Sequence, residues 1–155
     1  MYKHNNHSVG NNMKKIQITT KYRYHMMRKE LLKVYCRVAI EEACKSKHYP
    51  RVGAIIFDKS KIISRGYNHP HRSVRHLKRK FQKWPNSIHA EVAAIIAAKT
   101  DLKNLSMLVV RINKNNQLRM SKPCQYCTMY MEYVGIKKVY YSINEYPYIE
   151  VLQLK

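Results

Sequence analysis

Residues Pro123-Cys124-Gln125-Tyr126-Cys127 restrict the fold more than any other stretch of this chain. A C-x-x-C at the first turn of a helix points two thiolates at one place, where they can hold zinc at about 2.3 Å. The helix start adds orphan N–H groups and a positive dipole end, both of which favour thiolate over thiol. Pro123 suits the start of such a helix, and Gly135 suits its end. Alone the pattern is weak, because redox dithiols share it. His89-Ala90-Glu91 supplies a third donor, again at a helix start, with Asn86 or Ser87 available as the cap of an Ala- and Ile-rich helix reaching about Lys99. The fold must therefore bring two distant helix N-termini to one point.

One imidazole and two thiolates, from His89, Cys124 and Cys127, leave the fourth position of a tetrahedral zinc to water. Structural sites usually close with a fourth protein ligand, so the count reads as catalytic, with one zinc per chain. Zinc lowers the pKa of its water towards about 7, which makes hydroxide available at neutral pH. Glu91, two residues beyond the ligand, is placed to carry protons without binding the metal. Two other readings compete. Cys36 or Cys44 would complete a structural zinc knuckle, or the cysteines would be a redox pair with His89 as a helix cap.

Apolar residues Leu31, Leu32, Tyr35, Val38, Ala39 and Ala43 recur at helical spacing between Arg28 and Lys47. Cys36 and Cys44 lie in this helix and read as small buried hydrophobes. Strand-like segments follow at 52–57 and 62–66, joined through Asp58-Lys59-Ser60-Lys61 as a hairpin. Further strands are expected at 105–112, 137–142 and 149–154. The order helix, hairpin, helix, strand, helix, strand predicts an α/β domain. Its centre is a mixed sheet of about five strands with helices on both faces.

Thirty Lys and Arg stand against nine Asp and Glu, a formal net charge of +21. Such a field attracts phosphorylated ligands and polyanions. No apolar run is long enough for a membrane span. The N-terminus has no signal-peptide pattern, and four cysteines fit a reducing compartment, so a cytoplasmic, non-secreted protein is expected. Residues 1–27 hold no Asp or Glu and read as a flexible basic arm ahead of the domain at 28–155.

The pairing of His89-Ala90-Glu91 with Pro123-Cys124-x-x-Cys127 resembles the H-x-E…P-C-x-x-C signature of the cytidine and deoxycytidylate deaminase superfamily. The likeness runs roughly from Leu31 to Ser142. It includes Val52-Gly53-Ala54, Gly66-Tyr67-Asn68 and Gly135-Ile136-Lys137-Lys138-Val139. The resemblance implies a cytidine-deaminase-like fold and hydrolytic deamination with Glu91 as proton shuttle. Gly53, Ala54, Asn68 and Ala90 would line the substrate pocket, and Asn68 would hydrogen-bond the sugar. Turn chemistry at the hairpin's end is an equally good account of Asn68.

His as first ligand resembles the deoxycytidylate, tRNA-adenosine and polynucleotide branches. Lys122 stands where the tRNA branches usually carry Glu, which favours cytosine over adenine. The long insert between Asn68 and His89 resembles deoxycytidylate deaminases. Within it, Val74, Leu77, Phe81 and Trp84 form an apolar stripe opposite Arg72, Arg75 and Arg79, which predicts an amphipathic helix. Those arginines are expected to meet a nucleotide phosphate or a nucleic-acid backbone. The first expectation is deamination of cytosine on a nucleotide such as dCMP. A deaminase of single-stranded DNA or RNA, tRNA included, is the second, and a silent zinc domain that binds nucleic acid the third. Intact Glu91 argues against a silent domain. Self-association is left open.

Overall fold

A computed structural model describes residues 17–18, 28–59, 61–82 and 86–155. The elements are β1 (Gln17–Ile18), α1 (Lys29–Cys44), β2 (Arg51–Asp58), β3 (Lys61–Tyr67), α2 (Ala90–Ala98), β4 (Ser106–Ile112), β5 (Leu118–Arg119), α3 (Gln125–Val134), β6 (Lys138–Ser142) and β7 (Tyr148–Gln153). The strands form one sheet in the order β1-β7-β6-β4-β2-β3, and β5 pairs with β4 beside that path. The five expected strands are all present, as β2, β3, β4, β6 and β7. The hairpin between β2 and β3 pairs Asp58 with Lys61, and β4 runs antiparallel to β2. The crossover through α3 makes β6 parallel to β4, as a strand–helix–strand unit requires.

Alternation along each strand divides the apolar side chains between two cores. Ile55, Phe57, Leu108, Val110 and Tyr140 pack with Cys36, Ala39 and Ala43 of α1. Ala54, Ile56, Met107, Val109 and Val139 pack with α2 and α3, through Ala90, Ala94, Cys127 and Met131. Helices therefore cover both faces, with α2 and α3 side by side on one of them. Full burial of side chains such as Ile55, Ile56 and Leu108 stabilises the fold by about 1.5–3 kcal/mol each before the entropic cost is set against it.

α2 lies unusually close to β3. A Cβ on Gly66 would collide with the Ala94 amide nitrogen and come within 2.7 Å of the Ala90 carbonyl oxygen. The buried Ser64 hydroxyl donates to the Ala94 carbonyl at 2.7 Å, which ties the same two elements together. The start of α2 is fixed by a backbone bridge. His69 N–H donates to the Ile88 carbonyl and Ile88 N–H donates back to His69, each at 2.9 Å. The N-cap is His89 itself, without a side-chain hydrogen bond, and not Asn86 or Ser87 as the sequence suggested. α3 ends at Gly135 as expected, with φ at +90°, a conformation that glycine adopts without a Cβ penalty.

The insert is not the amphipathic helix that its stripe predicted. One 3₁₀ turn, Arg79–Phe81, is its helical content among the described residues. Like charges at Arg72/Arg75, Arg75/Lys78 and Arg75/Arg79 repel at helical spacing, and no carboxylate relieves them between Asp58 and Glu91. The Gln82 amide also donates to the Val74 and Leu77 carbonyls at 3.1 and 2.9 Å, taking acceptors that a helix would use. The apolar half of the expectation survives. Val74 and Leu77 pack on the α2/α3 core, and Phe81 is buried. Trp84 lies outside the described residues. So does the expected N-terminal arm, apart from Gln17 and Ile18, which pair in parallel with Tyr148 and Ile149. Among the described residues no helix is long and apolar enough to cross a membrane.

Gly66→Ala should destabilise the protein by about 1–3 kcal/mol or more, because backbone rather than a movable side chain meets the new methyl group. A urea midpoint equal to that of the parent protein would show that α2 can withdraw freely.

Candidate active site

α2 and α3 pack on the same sheet face, and their first residues bring the chemistry together. His89 is the N-cap of α2, Cys124 is the N-cap of α3, and Cys127 lies in the first turn of α3. The loop before α3 is held by a buried serine pair. Ser121 Oγ donates to the Val109 carbonyl at 2.8 Å, accepts from the Ser142 N–H at 2.8 Å, and lies 2.9 Å from Ser142 Oγ. Lys122 and Pro123 are thereby fixed between β4 and β6.

His89 Nδ1 lies 3.7 Å from Cys124 Sγ and 3.3 Å from Cys127 Sγ. A tetrahedral zinc bound by nitrogen and thiolate would hold those atoms about 3.6 Å apart, so the donor set fits that ion. All three donor atoms lie within 4.8 Å of one another, and this is the one such group among the described residues. Cys36 and Cys44 belong to the core on the other side of the sheet, which removes them as a fourth ligand. Burial pushes both of their thiols up, as expected of packing residues rather than ligands.

The two grouped thiols, Cys124 and Cys127, behave differently. The hydrogen bond from Cys127 pulls Cys124 down to about 3, with the His89 ring assisting against a partial desolvation cost. The same bond, with burial and the nearby Glu91 charge, pushes Cys127 well above the ordinary thiol range. Zinc, which binds thiolate, would favour deprotonation of both. Glu91 stands in the first turn of α2, 5% exposed. Burial raises its pKa, and the Cys124 thiolate adds to this. Its own backbone N–H, the His89 ring and a hydrogen bond with Cys127 act in the opposite direction. A carboxyl balanced in this way is suited to gaining and losing a proton, and it is not among the grouped donor atoms.

An open cavity of about 300 Å³ meets this group. His89, Ala90, Glu91 and Cys124 form its floor, and Tyr49, Pro50, Val52 and Met120 give it apolar walls. Arg111 and Lys122 also line it, and Glu91 is its one carboxylate. The volume is within the range of small-molecule sites.

Of the other residues singled out in the sequence, Ala90 and Asn68 reach the cavity. The Asn68 amide, however, is committed to backbone. It donates to the Pro50 carbonyl at 2.7 Å and accepts from Val52 N–H at 2.9 Å. Gly53 and Ala54 are not in the wall. A Cβ on Gly53 would strike the Ala39 carbonyl of α1 on the opposite face, and Ala54 is fully buried beneath α2. Val52 is the β2 residue at the cavity. Arg72 lines a neighbouring basin with Lys45, Lys47 and His48, while Arg75 and Arg79 line neither space. Sequence reasoning missed Arg111 and Lys122 as wall residues. Arg111 was detectable as the charged interruption of an apolar strand, and Lys122 as the residue ahead of Pro123.

Residues 29–143 match the family model described as the cytidine and deoxycytidylate deaminase zinc-binding region. The chain belongs to this family. Among solved structures, a dCMP deaminase from the cyanophage S-TIM5, in its apo form, has a TM-score of 0.57 at 21% identity. The match covers 76% of this chain and 86% of that one. The same cyanophage enzyme in complex with dCMP and dUMP also gives 0.57, at 20% identity, covering 76% and 85%. A diaminohydroxyphosphoribosylaminopyrimidine deaminase/5-amino-6-(5-phosphoribosylamino)uracil reductase from Thermotoga maritima gives 0.50 at 24% identity, covering 73% of this chain and 29% of that one. At these identities the shared property is the fold. No curated protein matches the sequence.

Removing a donor should cost more than removing an outer partner, for which about 10–100-fold in metal affinity is typical. His89→Ala and Cys124→Ala should each weaken zinc binding by more than about 100-fold in a competitive chelator titration, whereas Glu91→Ala should leave it near the parent value. Equal weakening in all three variants would make Glu91 a ligand.

Proposed function

We propose that this protein hydrolyses the exocyclic amine of cytosine, carried on a nucleotide such as dCMP, to give the uracil product and ammonia. The observation that carries the reading is the composition of one cavity. Two of the three donors, His89 and Cys124, and a single buried carboxyl stand at its floor, and two cations, Arg111 and Lys122, stand in its walls. A planar base fits between Val52, Pro50 and Met120, while the phosphate of a nucleotide answers the two cations. A shared fold with a deaminase solved with dCMP and dUMP supports the same substrate class.

The residues divide the work. His89, Cys124 and Cys127 would hold one zinc ion per chain, which when bound makes water nucleophilic at neutral pH. Glu91 takes a proton from the attacking water and gives it to the ring nitrogen N3. It then takes the proton of the hydroxyl now on C4 and carries it to the departing amine, so that the C4–N bond breaks, ammonia leaves and a carbonyl remains. Burial raises the affinity of the carboxyl for a proton, which favours its role as a carrier. Ala90, the first residue of α2, lines the same cavity, and its N–H lies outside the helix's own ladder, so it would donate to the base carbonyl.

The deciding assay incubates the zinc-loaded protein separately with dCMP, deoxycytidine and cytosine-containing oligonucleotides, following ammonia release. Conversion of dCMP with weak use of deoxycytidine is expected. Turnover of oligonucleotides with none of dCMP would overturn the nucleotide reading. Glu91→Ala should lower turnover by at least about 100- to 10,000-fold at unchanged zinc content. Arg111→Ala with Lys122→Ala should raise KM for dCMP about 10- to 100-fold, as loss of charge-assisted hydrogen bonds predicts, and should spare deoxycytidine.

A further inference from the structure

The insert and the outer face of α3 build a second feature, away from the cavity. Phe81 packs against two tyrosines of α3, with its ring centroid 5.0 Å from Tyr130 and 5.1 Å from Tyr133. The two tyrosine rings are inclined by only 20°, with centroids 6.4 Å apart. Lys78 Nζ sits 5.2 Å from the Tyr133 centroid, and Lys80 Nζ sits 4.9 Å from Phe81 and 5.7 Å from Tyr133. Tyr133 is 60% exposed despite these contacts. A phenol ring this open on a helix face, contacted by mobile lysine side chains, is an apolar plane that a ligand can reach.

The charge that the insert brings to this plane is of one sign. Arg75, Lys78, Arg79 and Lys80 are exposed, and the Lys45–Glu42 ion pair lies elsewhere. Glu132, beside Tyr133 in sequence, lies 3.5 Å from the Lys155 N–H and accepts from it. Lysines interleaved with exposed rings combine the two attractions that hold an unpaired polynucleotide. Bases stack on the rings, which tolerate any sequence, and ammonium groups meet the phosphates. An ammonium resting over a ring is also displaced cheaply, since a base that takes the ring face releases it towards the flanking phosphate.

We propose that the surface formed by Lys78, Lys80, Tyr133 and the half-buried Tyr130, with Phe81 buried behind them, docks single-stranded nucleic acid, with bases on the tyrosine rings and phosphates on the two lysines. An acidic polypeptide would satisfy the lysines but leave the ring planes without a partner. The surface is separate from the cavity, as none of these five residues lines it. The docking therefore stands whether or not the nucleotide reading above is correct.

The test measures fluorescence anisotropy of a labelled single strand of about 20 nucleotides and mixed sequence with the full-length protein, over a range of salt. Tyr133→Ala should weaken binding roughly 5- to 100-fold, as expected when one base–ring stack is removed, and Tyr133→Phe should restore it. Lys78→Ala with Lys80→Ala should lower the salt slope by about 1.4, or roughly 0.7 for each single-strand phosphate that is no longer neutralised. Turnover of dCMP should be the same in all these variants, and unchanged melting temperatures would exclude misfolding. Binding equal to the parent protein in Tyr133→Ala would overturn the proposal, because the remaining charge would then account for all of it. Competition by polyglutamate as effective as by unlabelled strand would overturn it too, and would assign the surface to acidic proteins.

Discussion

The absence of a side chain at Gly66 sets how closely α2 can approach the sheet, and the active site hangs from that distance. The helix rests with backbone against backbone, and Ser64 binds its Ala94 carbonyl at the point of contact. Small residues on α2 make the approach possible, and Ala90 and Ala94 both lie in the shared core. Because His89 and Glu91 occupy the first positions of this rigid element, their height above the sheet is fixed by the same contact. α3 is located independently, by the Ser121–Ser142 lock at its start and Gly135 at its end. Two separately anchored helix ends meet, and the three donor atoms fall within reach of one ion.

The electrostatics follow from this meeting. Helix N-termini favour negative charge, and here they face a thiol pair and a carboxyl. The mutual hydrogen bond of the thiols lowers the pKa of Cys124 and raises that of Cys127. Glu91 is pulled in both directions, by burial towards the neutral acid and by the neighbouring imidazole and N–H towards the anion. Around this small negative centre the cavity walls are otherwise neutral or cationic, an arrangement that favours an anionic ligand and leaves a single carboxyl at the opening.

The donor set was legible from sequence because metal chemistry admits few residue types and because helix starts carry their own punctuation. The strands were legible from alternation and the α3 terminus from its glycine. The insert was misread for a physical reason. A stripe at 74, 77 and 81 fits a helix, but the pattern of apolar residues does not register repulsion among Arg72, Arg75, Lys78 and Arg79, nor the capture of carbonyls by Gln82. The cavity wall was hard to see for another reason. Alternation in β2 separates Gly53 from Val52 and Ala54 but does not say how far α2 covers the second face, and that coverage buries Ala54 and leaves Val52 at the opening. Arg111 and Lys122 become neighbours in the wall only after strand β4 and the loop before α3 are placed together.

The two-way bridge between His69 and Ile88 separates the length of the insert from the geometry of the catalytic floor. Chain that leaves and returns through a clasp of paired backbone groups cannot pull on His89 from its far end. Lengthening such a loop is cheap, at about 0.6 kcal/mol for each doubling of its closed length. Changes at exposed positions beyond the clasp, away from the packed Val74, Leu77 and Phe81, can therefore accumulate with little effect on the donor positions. Surface properties can then diversify while the chemistry beneath stays constant, so this segment is where a lineage of such enzymes can change its partners first.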